Sequence, residues 1–574
     1  MTGLPSYWDD SASFKGSIDG LVTEDPGILS FQPSVDDTLP VDPKWTDVAL
    51  MRAWIQTCIA EHGSACWPEE SLDGSPLWLI DVDRECLVPY SQAHAYVALS
   101  YVWGQVESAE TRRENLYAFQ QPGAFSPDNS DIVIPKTIRH AMGLVHLLGQ
   151  RYLWVDRLCI CQDDEEVKAE QIGLMGDIYN NAILAIIAAN GWDANHGLRG
   201  IEGLTPPRNL PQHADKEDFE MIEPSTSIWY SRGWTFQELL LSSRKLMFHY
   251  NVAIWECKSA QWHEIHGTHP RPVEKAGLER FRVADATLKN VIDGIQLPAA
   301  GILGVFFNLV NSYNHRQLTY SEDALRAFSG ISGAITKIAY PAGFLWGLPL
   351  GCFSQALLWM AEEPLQRRKP RAPAGEAMPS WSWVGWQGRI KEDAWAPHFF
   401  DELSSAVQDI QFYHEPECEW TWMDEKGGIR TAGAPDIEEN RPSRWLCTTA
   451  QTGTMTAIRK ERQDLPWLMP RMLFRYLSRP KDSDRVGVLV PDCPSETFGH
   501  GQSFDVKLMV ISRTRGRLVA GLVTDESSAP VHNYYDALWL GDDGNGLCRK
   551  GIARISIDAW DGLPNIAVEE VVLG

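Results

Sequence analysis

The most constraining feature of this chain is an alternation of short apolar runs with helical patterns between residues 77 and 250. Apolar residues at helical spacing extend from Pro135 to Leu148 and over residues 165–181. The apolar runs are short and rich in β-branched and aromatic residues, so each predicts a buried strand. These runs are LWLIDV (77–82), AYVALSYVW (95–103), RYLWVD (151–156) and AILAIIAA (182–189). Strands that alternate with helices are typical of a parallel α/β sheet, and this is the fold class we predict here.

Changes of pattern divide the chain into five predicted segments. The first segment is rich in Pro, Asp, Ser and Gly, which predicts a loosely ordered leader. Helical periodicity dominates after the α/β core, and period-two alternation dominates towards the C-terminus, where GDDGNG (541–546) indicates a hairpin turn. The predicted segments are a leader at 1–45, a helix and strand at 46–90, the α/β core at 91–260, a helical region at 261–365 and a mainly β region at 366–574.

The charge of the chain narrows the classes of partner. Its 574 residues include 51 Lys and Arg against 76 Asp and Glu, a formal net charge of −25. Binding to nucleic acids or to anionic membranes needs a basic face, so we expect neither, and an anionic ligand would have to meet a local group of arginines. No run of about eighteen apolar residues occurs, and the start MTGLPSYWDDSASF lacks the order of a secretory signal. We therefore expect a soluble, cytoplasmic protein.

Cysteines are scattered rather than regularly spaced. Their number, eleven, is odd, which predicts reduced and mostly buried thiols rather than a disulfide framework. Cys58, His62 and Cys66 have the spacing i, i+4, i+8, which can place soft metal ligands along one helix face. Tetrahedral zinc needs a fourth ligand, so we interpret these residues as a buried helix face and predict no metal site. Cys159 and Cys161 are interpreted as packing residues, because the sequence identifies no histidine partner for a nucleophilic thiolate.

The candidate ligand-binding residues follow the predicted strands. The sequence contains no Walker loop, GxSxG elbow or HExxH motif. Open α/β sheets bind ligands at the carboxyl ends of their strands, and polar and aromatic residues collect there. The candidates are Ser100, Tyr101, Trp103 and Gly104 after one strand, Asp156 and Arg157 after the next, and Arg232, Gly233, Trp234, Gln237 and Glu238 at the start of a helix predicted over 233–242.

Three long blocks that contain these residues resemble the fungal heterokaryon incompatibility (HET) domain. The blocks are AYVALSYVWG, then IPKTIRHAMGLVHLLGQRYLWVDRLCICQDD with QIGLMGDIYNNA, and then SRGWTFQELLLSSRKLMF. The resemblance to typical members of this family covers most of residues 45–390 and, more weakly, RKGIARISIDAW near the C-terminus. It implies a fungal protein that acts in nonself recognition or stress signalling and triggers regulated cell death.

A more distant resemblance links the core to Toll/interleukin receptor (TIR) domains. ALSYVWGQ is similar to their first-strand motif, FLSFRGED, and YSRGWTFQEL is similar to their pattern YxxSxWCLxEL. Thr235 stands in place of the cysteine of that pattern, and Trp103 in place of the arginine. TIR domains have a flavodoxin-like α/β fold, and several cleave NAD at the nicotinamide bond with the glutamate of this pattern. The resemblance therefore implies a TIR-like core with Glu238 as catalytic residue and NAD as a possible substrate, with no cofactor required.

The chemistry of the residue types supports the same role for Glu238. When a cationic nicotinamide leaves, oxocarbenium charge develops on the ribose, and a fixed carboxylate can stabilise that charge. Backbone amides near Gly233 and the guanidinium of Arg232 or Arg157 can hold the pyrophosphate. Glu238 can equally be a capping or ion-paired residue, since acids are favoured near helix starts.

Aromatic side chains and a second carboxylate complete this set. Tyr101, Trp103 and Trp234 can stack on adenine or nicotinamide. Trp234 can also be a core residue, as we expect for Trp154, and Asp156 can be a cap or a partner of an arginine. These structural roles stay open beside the binding roles.

Three hypotheses about function follow. In the first, a death-signalling HET protein cleaves NAD or a related dinucleotide once self-association or a protein partner activates it. In the second, the same core is a non-enzymatic signalling module that assembles with copies of itself. In the third, an enzyme of secondary metabolism or regulation has borrowed the domain.

Overall fold

A computed structural model of the chain describes fourteen stretches, and their buried apolar residues form several cores. Of the predicted leader, residues 1–40 lie outside the described stretches, and residues 41–45 contain neither helix nor strand. In the part described, no helix is both long enough and apolar enough to cross a membrane. The described residues are 41–63, 66, 74–210, 227–264, 299–370, 377–391, 410–423, 429–431, 443–458, 475–478, 486–492, 503–518, 531–544 and 546–574.

An eight-stranded sheet lies at the centre of the N-terminal part, in the order β2-β1-β4-β3-β5-β6-β7-β8. Each of the four apolar runs predicted as strands contains one of them, and β3 and β5 are buried along their whole length, as expected for strands covered on both faces. The strands are β1 Trp78–Asp81, β2 Cys86–Pro89, β3 Tyr96–Ser100, β4 Tyr152–Trp154, β5 Leu184–Ala188, β6 Arg244–His249, β7 Val252–Cys257 and β8 Gln261–His263.

The sheet is parallel at its centre and antiparallel at both edges. β4, β3, β5 and β6 are parallel neighbours. Numbered among themselves in chain order they stand 2-1-3-4, the flavodoxin-like order, whose switch point lies between β3 and β5. β1 and β2 extend one edge and β7 and β8 the other, all by antiparallel pairing. The prediction of a parallel sheet is thus right for the centre and wrong for the edges, because hairpin connections lengthen the sheet on either side.

The longer helices beside this sheet follow the predicted patterns with one exception, whereas the three four-residue helices at 116–119, 156–159 and 228–231 were not predicted. α1 begins where the Asp47 carboxylate accepts hydrogen bonds from the amides of Ala49 and Leu50. The helix predicted over 165–181 is instead two helices, because Leu174, with ψ of 0°, interrupts it. The helices are α1 Val48–His62, α2 Leu116–Phe119, α3 Lys136–Leu147, α4 Asp156–Cys159, α5 Glu165–Gly173, α6 Met175–Asn181, α7 Ile228–Ser231 and α8 Trp234–Leu241.

Of the predicted helical region, residues 265–298 lie outside the described stretches; from Ala299 to Ile338 the chain forms helices and 3₁₀ turns, and beyond that it mixes single turns with two-stranded ladders. α8 joins it to the sheet, since the Phe236 ring packs 5.7 Å from that of Tyr313 and 6.3 Å from that of Phe328, measured between ring centroids. The helices are α9 Ala299–Asn314, α10 Ser329–Ile338 and α11 Phe353–Ala356, with 3₁₀ turns at Ser321–Ala324, Arg326–Phe328, Leu350–Cys352 and Trp383–Gly385. The short strands are β9 Phe344–Leu345, β10 Leu348–Pro349, β11 Met360–Ala361, β12 Gln366–Arg367, β13 Trp386–Gln387 and β14 Ile390–Lys391.

The C-terminal region is mainly β, as predicted, and its pairing closes on itself. β18, β21, β22, β23, β20 and β19 form an antiparallel ring, because β18 pairs with both β19 and β21. GDDGNG connects β22 to β23, which confirms the predicted hairpin. The elements are β15 Ile410–Pro416, β16 Thr421–Met423, β17 Ile429–Thr431, β18 Leu446–Ile458, β19 Arg475–Ser478, β20 Gly487–Pro491, β21 Ser503–Leu518, β22 Val531–Asp542, β23 Leu547–Ser556, β24 Ala567–Leu573 and the helix α12 Ile557–Asp561.

Candidate functional site

The candidate site lies at the carboxyl ends of the parallel strands, beside the switch point. Ser100 is the last residue of β3, and Asp156 begins α4 shortly after β4 ends. Glu238 reaches the same place from α8. Three segments that are far apart in sequence therefore contribute one polar side chain each to one end of the sheet.

Glu238 is held by a chain of hydrogen bonds. The Ser100 hydroxyl donates to Oε2 of Glu238, and it accepts a hydrogen bond of 2.7 Å from Nε1 of Trp229. Glu238 is 6% exposed. The Ser100 hydroxyl has a single proton, and that proton points to the carboxylate because the Trp229 indole can only donate. Both hydrogen bonds therefore run in one direction, from Trp229 to Ser100 and from Ser100 to Glu238.

The environment of Glu238 favours its neutral form. Burial raises the pKa of Glu238 to about 7, and the nearby charge of Asp156 acts in the same direction. The Ser100 hydrogen bond, the charge of Arg232 and the Tyr179 hydroxyl oppose this rise. The carboxyl group can therefore change its protonation near neutral pH, which suits a group that stabilises charge or transfers a proton.

Asp156 is the second carboxylate of the site. It accepts a hydrogen bond of 2.7 Å from Nε1 of Trp103, and its other oxygen accepts one of 2.7 Å from the backbone amide of Arg157. Burial raises the pKa of Asp156 to about 6, although these two hydrogen bonds and the arginine charges lower it. Glu238, which is buried, and Asp156, which is partly exposed, are thus neighbouring carboxyl groups with raised pKa values.

Several polar atoms around these carboxylates are buried without a partner in the described residues. They are the Tyr101 hydroxyl and the Nε and Nη1 atoms of Arg157. The remaining Arg157 nitrogen, Nη2, donates to the carbonyl of Val106 at 3.3 Å, and the guanidinium lies 4.8 Å from the ring centroid of Trp103. Buried polar groups are nearly always hydrogen-bonded in folded proteins, so donors left without a partner at one place are groups that a polar ligand or a water molecule can satisfy.

Gly104 and Arg232 border the same site. Gly104 has φ of +62°, and an added Cβ would lie 2.4 Å from Cβ of Asp193, so a side chain there would be both strained and blocked. The charge of Arg232 lowers the pKa values of both Asp156 and Glu238, which places its guanidinium within electrostatic reach of both. The structure therefore brings together Ser100, Tyr101, Trp103, Gly104, Asp156, Arg157, Arg232 and Glu238.

Two further candidates from the sequence lie elsewhere on α8. Trp234 is partly buried and packs against both large cores, as its structural interpretation anticipated. Gln237 is fully buried, and its side-chain oxygen is 2.9 Å from where a Cβ on Gly330 would stand. Gln237 therefore faces the neighbouring helical region, whereas Trp234 contacts both that region and the core of the sheet.

Sequence reasoning missed three residues of the site. Trp229 orients Ser100, and Tyr179 donates to the backbone carbonyl of Leu99 at 2.9 Å and contributes to the pKa of Glu238. Burial lowers the pKa of Arg316 to about 10, and the charge of Glu238 opposes this, so Arg316 lies close to that carboxylate. Tyr179 stands inside one of the blocks that resemble the HET domain, which was a signal for it, whereas Trp229 lies two residues before the third block. Arg316 lies two residues after the end of α9, beyond those blocks, and no local sequence pattern indicates its role.

An open sheet with parallel central strands and charged residues at their carboxyl ends defines the class of α/β domains, in which ligand sites generally lie at the switch point. Residues 96–238 match the sequence model of the family described as heterokaryon incompatibility protein (HET). This stretch of the chain is therefore a HET domain, as the resemblance predicted.

A protein of Neurospora crassa named heterokaryon incompatibility protein 6, OR allele, is 34% identical over 122 residues. The match covers 20% of this chain and 18% of that protein, so the chain spans less than a fifth of the length of this relative. No solved structure matches the chain. The resemblance to TIR domains stays a prediction.

Proposed function

We propose that this chain is a HET protein of nonself recognition or regulated cell death whose α/β core hydrolyses NAD or a related dinucleotide. The observation that carries the proposal is the meeting of Glu238 and Asp156 with orphaned donors of Tyr101 and Arg157 at the switch point. The role in recognition or death is supported by the HET domain and by the name of the Neurospora crassa relative. The 2-1-3-4 order of the parallel strands supports a TIR-like core.

The proposed reaction adds water across the bond between ribose and nicotinamide. NAD and water give ADP-ribose, nicotinamide and a proton. The ionised Glu238 stabilises the positive charge that develops on the ribose as the bond breaks. Asp156, with its pKa of about 6, is mostly ionised at neutral pH and can accept the proton of the attacking water.

The arginines and aromatic rings are assigned to binding. Nε and Nη1 of Arg157 are free to donate to a pyrophosphate oxygen, and Arg232 adds positive charge to the same site. The orientation of the Trp103 ring is fixed by the guanidinium of Arg157 over one face and by the hydrogen bond from its Nε1 to Asp156 at the edge, so the other face is the one assigned to stacking on a base.

A second function is favoured by the burial of Glu238. Only 6% of this residue is exposed, and one carboxylate oxygen is already occupied by Ser100. A carboxyl group in that setting also suits a purely structural hydrogen-bond network. The alternative is therefore a non-enzymatic module that signals by assembling with other copies or with a protein partner.

Nicotinamide release separates the two functions. The full chain is incubated with NAD at several protein concentrations, and nicotinamide is followed by chromatography. We expect turnover that rises with assembly and that falls by about a hundredfold or more in Glu238→Gln, since a fixed group that stabilises transition-state charge contributes about that much.

The matched control is Glu166→Gln, an exposed residue at the start of α5, which should keep full turnover. Absence of nicotinamide in every assembly state, with a folded protein, would support the non-enzymatic module. Turnover that survives in Glu238→Gln would remove Glu238 from the mechanism.

A further inference from the structure

A compact group of soft ligands lies at the opposite end of the sheet from Glu238. Cys58 and His62 stand on α1, Cys66 follows this helix, and Cys257 ends β7. One ligand atom from each lies within 4.8 Å of all the others. Cys257 pairs with Arg244, the first residue of β6, so the group lies at the amino ends of the parallel strands.

The separations suit tetrahedral zinc. With zinc–sulfur bonds of about 2.3 Å, two ligand sulfurs are about 3.8 Å apart, and a sulfur and a histidine nitrogen are slightly closer. Sγ of Cys257 lies 3.4 Å from Nδ1 of His62. The three cysteines are buried, and His62 is partly exposed. Three thiols and one imidazole at such spacing match a Cys₃His ligand set.

We propose that Cys58, His62, Cys66 and Cys257 bind one zinc ion. The helical spacing of the first three residues supplied only three ligands, and for that reason the sequence argued against a metal. The fold supplies the fourth ligand from a strand 195 residues beyond His62. A set of four protein ligands leaves no open position, so the ion has a structural role.

Groups around the sulfurs are arranged to stabilise thiolates. Nε of Arg244 donates to Sγ of Cys58 at 3.3 Å, and the backbone amide of Ala260 donates to Sγ of Cys257 at 3.3 Å. The Ser259 hydroxyl lies 3.5 Å from Sγ of Cys66. Such outer hydrogen bonds orient metal ligands and raise their affinity.

The charge of the group also balances with zinc present. Three thiolates and a neutral imidazole around Zn²⁺ carry one net negative charge, which the buried guanidinium of Arg244 offsets. The His62 ring is stacked on Trp262 of β8, with 5.6 Å between the ring centroids, and this contact fixes the imidazole. The ion would tie the end of α1 to the antiparallel edge of the sheet, where α1 packs on β7.

The proposal is tested on the full chain, purified under reducing conditions with zinc in the medium. We expect about one zinc per chain by elemental mass spectrometry. Exchange for Co²⁺ should give intense visible d–d bands together with near-ultraviolet thiolate charge-transfer bands, which indicate tetrahedral sulfur ligation. Cys257→Ser should lose most of the zinc and weaken the charge-transfer bands.

The control is Cys447→Ser, since Cys447 lies in β18, outside the group. It should keep both the zinc and the cobalt spectrum. The measurement on the unmodified chain decides the matter even if Cys257→Ser does not fold. A folded, reduced protein that binds neither zinc nor cobalt would overturn the proposal, and so would an intact mass showing a disulfide between two of the three cysteines.

Discussion

Glu238 in the α/β core and Asp536 in the C-terminal ring are both buried carboxylates, but their pKa values are shifted in opposite directions. Asp536 accepts a hydrogen bond of 2.7 Å from Nε of Arg554 and another from the Thr514 hydroxyl, and His414 lies 3.7 Å away. In the described ranges, no arginine or lysine lies within salt-bridge distance of Glu238. Burial acts against ionisation at both sites, but Arg554 and His414 outweigh it and lower the pKa of Asp536 to about 2.

The comparison distinguishes a buried carboxylate that is paired for stability from one that is placed to meet a ligand. The charge of Asp536 is matched by a neighbouring cation, so its network is complete and rigid. The pKa of Glu238 is instead raised to about 7, while donors of Arg157 and Tyr101 nearby have no partner among the residues that the structure describes. An incomplete network at the mouth of a sheet is the arrangement that a ligand can complete.

The same isosteric change should have opposite consequences at the two carboxylates. Asp536→Asn leaves the buried guanidinium of Arg554 without a counter-charge, so we expect a loss of about 3 to 5 kcal/mol in the free energy of unfolding. Urea denaturation at pH 7 measures it, with the exposed Asp561→Asn as control. A loss below about 1 kcal/mol would mean that the ion pair of Asp536 and Arg554 contributes little to stability, which would contradict the proposed difference between Asp536 and Glu238.

Glu238→Gln should change stability in a pH-dependent way. The folded pKa of about 7 exceeds the ordinary value of 4.5, so the folded state holds an extra proton between these values and the parent chain loses stability as pH rises through them. Gln is neutral throughout, so the variant should gain about 2 to 3 kcal/mol relative to the parent on going from pH 5 to pH 8.

Urea denaturation of parent and variant at both pH values gives this difference, with Glu166→Gln as the matched control. Equal effects at pH 5 and pH 8 would show that Glu238 does not titrate between them.

Removing the hydroxyl group that donates to each carboxylate tests the same comparison with smaller expected effects. Ser100→Ala removes a hydrogen bond that lowers the pKa of Glu238, and it leaves the Trp229 indole without its acceptor. We therefore expect the free energy of unfolding to fall by about 1 to 2 kcal/mol. It should also move the midpoint of any pH–rate profile upwards. Thr514→Ala should leave Asp536 ionised, because Arg554 remains.

Carboxyl titration followed by NMR in both variants checks this pair. A shift at Asp536 as large as the shift at Glu238 would contradict the difference between the two networks.

Local patterns predicted much of the fold. β3, β5 and the hairpin at 541–546 follow from apolar runs and turn residues, since these signals act over a few neighbours. The antiparallel edges of the central sheet and the closure of β18 on β21 could not be predicted, because strand pairing over long separations leaves no periodic signal.

The site divides in the same way. Ser100 and Asp156 could be placed because strand ends of an open sheet converge, and Glu238 because YSRGWTFQEL resembles a TIR pattern. The contribution of Arg316 and the nearness of Cys257 to Cys58 depend on packing between segments far apart in the chain, so no spacing in the sequence reveals them.

The short helix α8 has two faces with different neighbours: Glu238 points to the sheet, whereas Phe236 is embedded among Tyr313 and Phe328. The family match ends at residue 238, but the ring cluster that holds this helix comes from beyond residue 300. A fragment cut out at the limits of the match would expose that aromatic surface to water and release the acidic side chain from its setting. Inactivity of such an excised domain would therefore show only that α8 had lost the residues that pack against it, and would not show that the full chain is inactive.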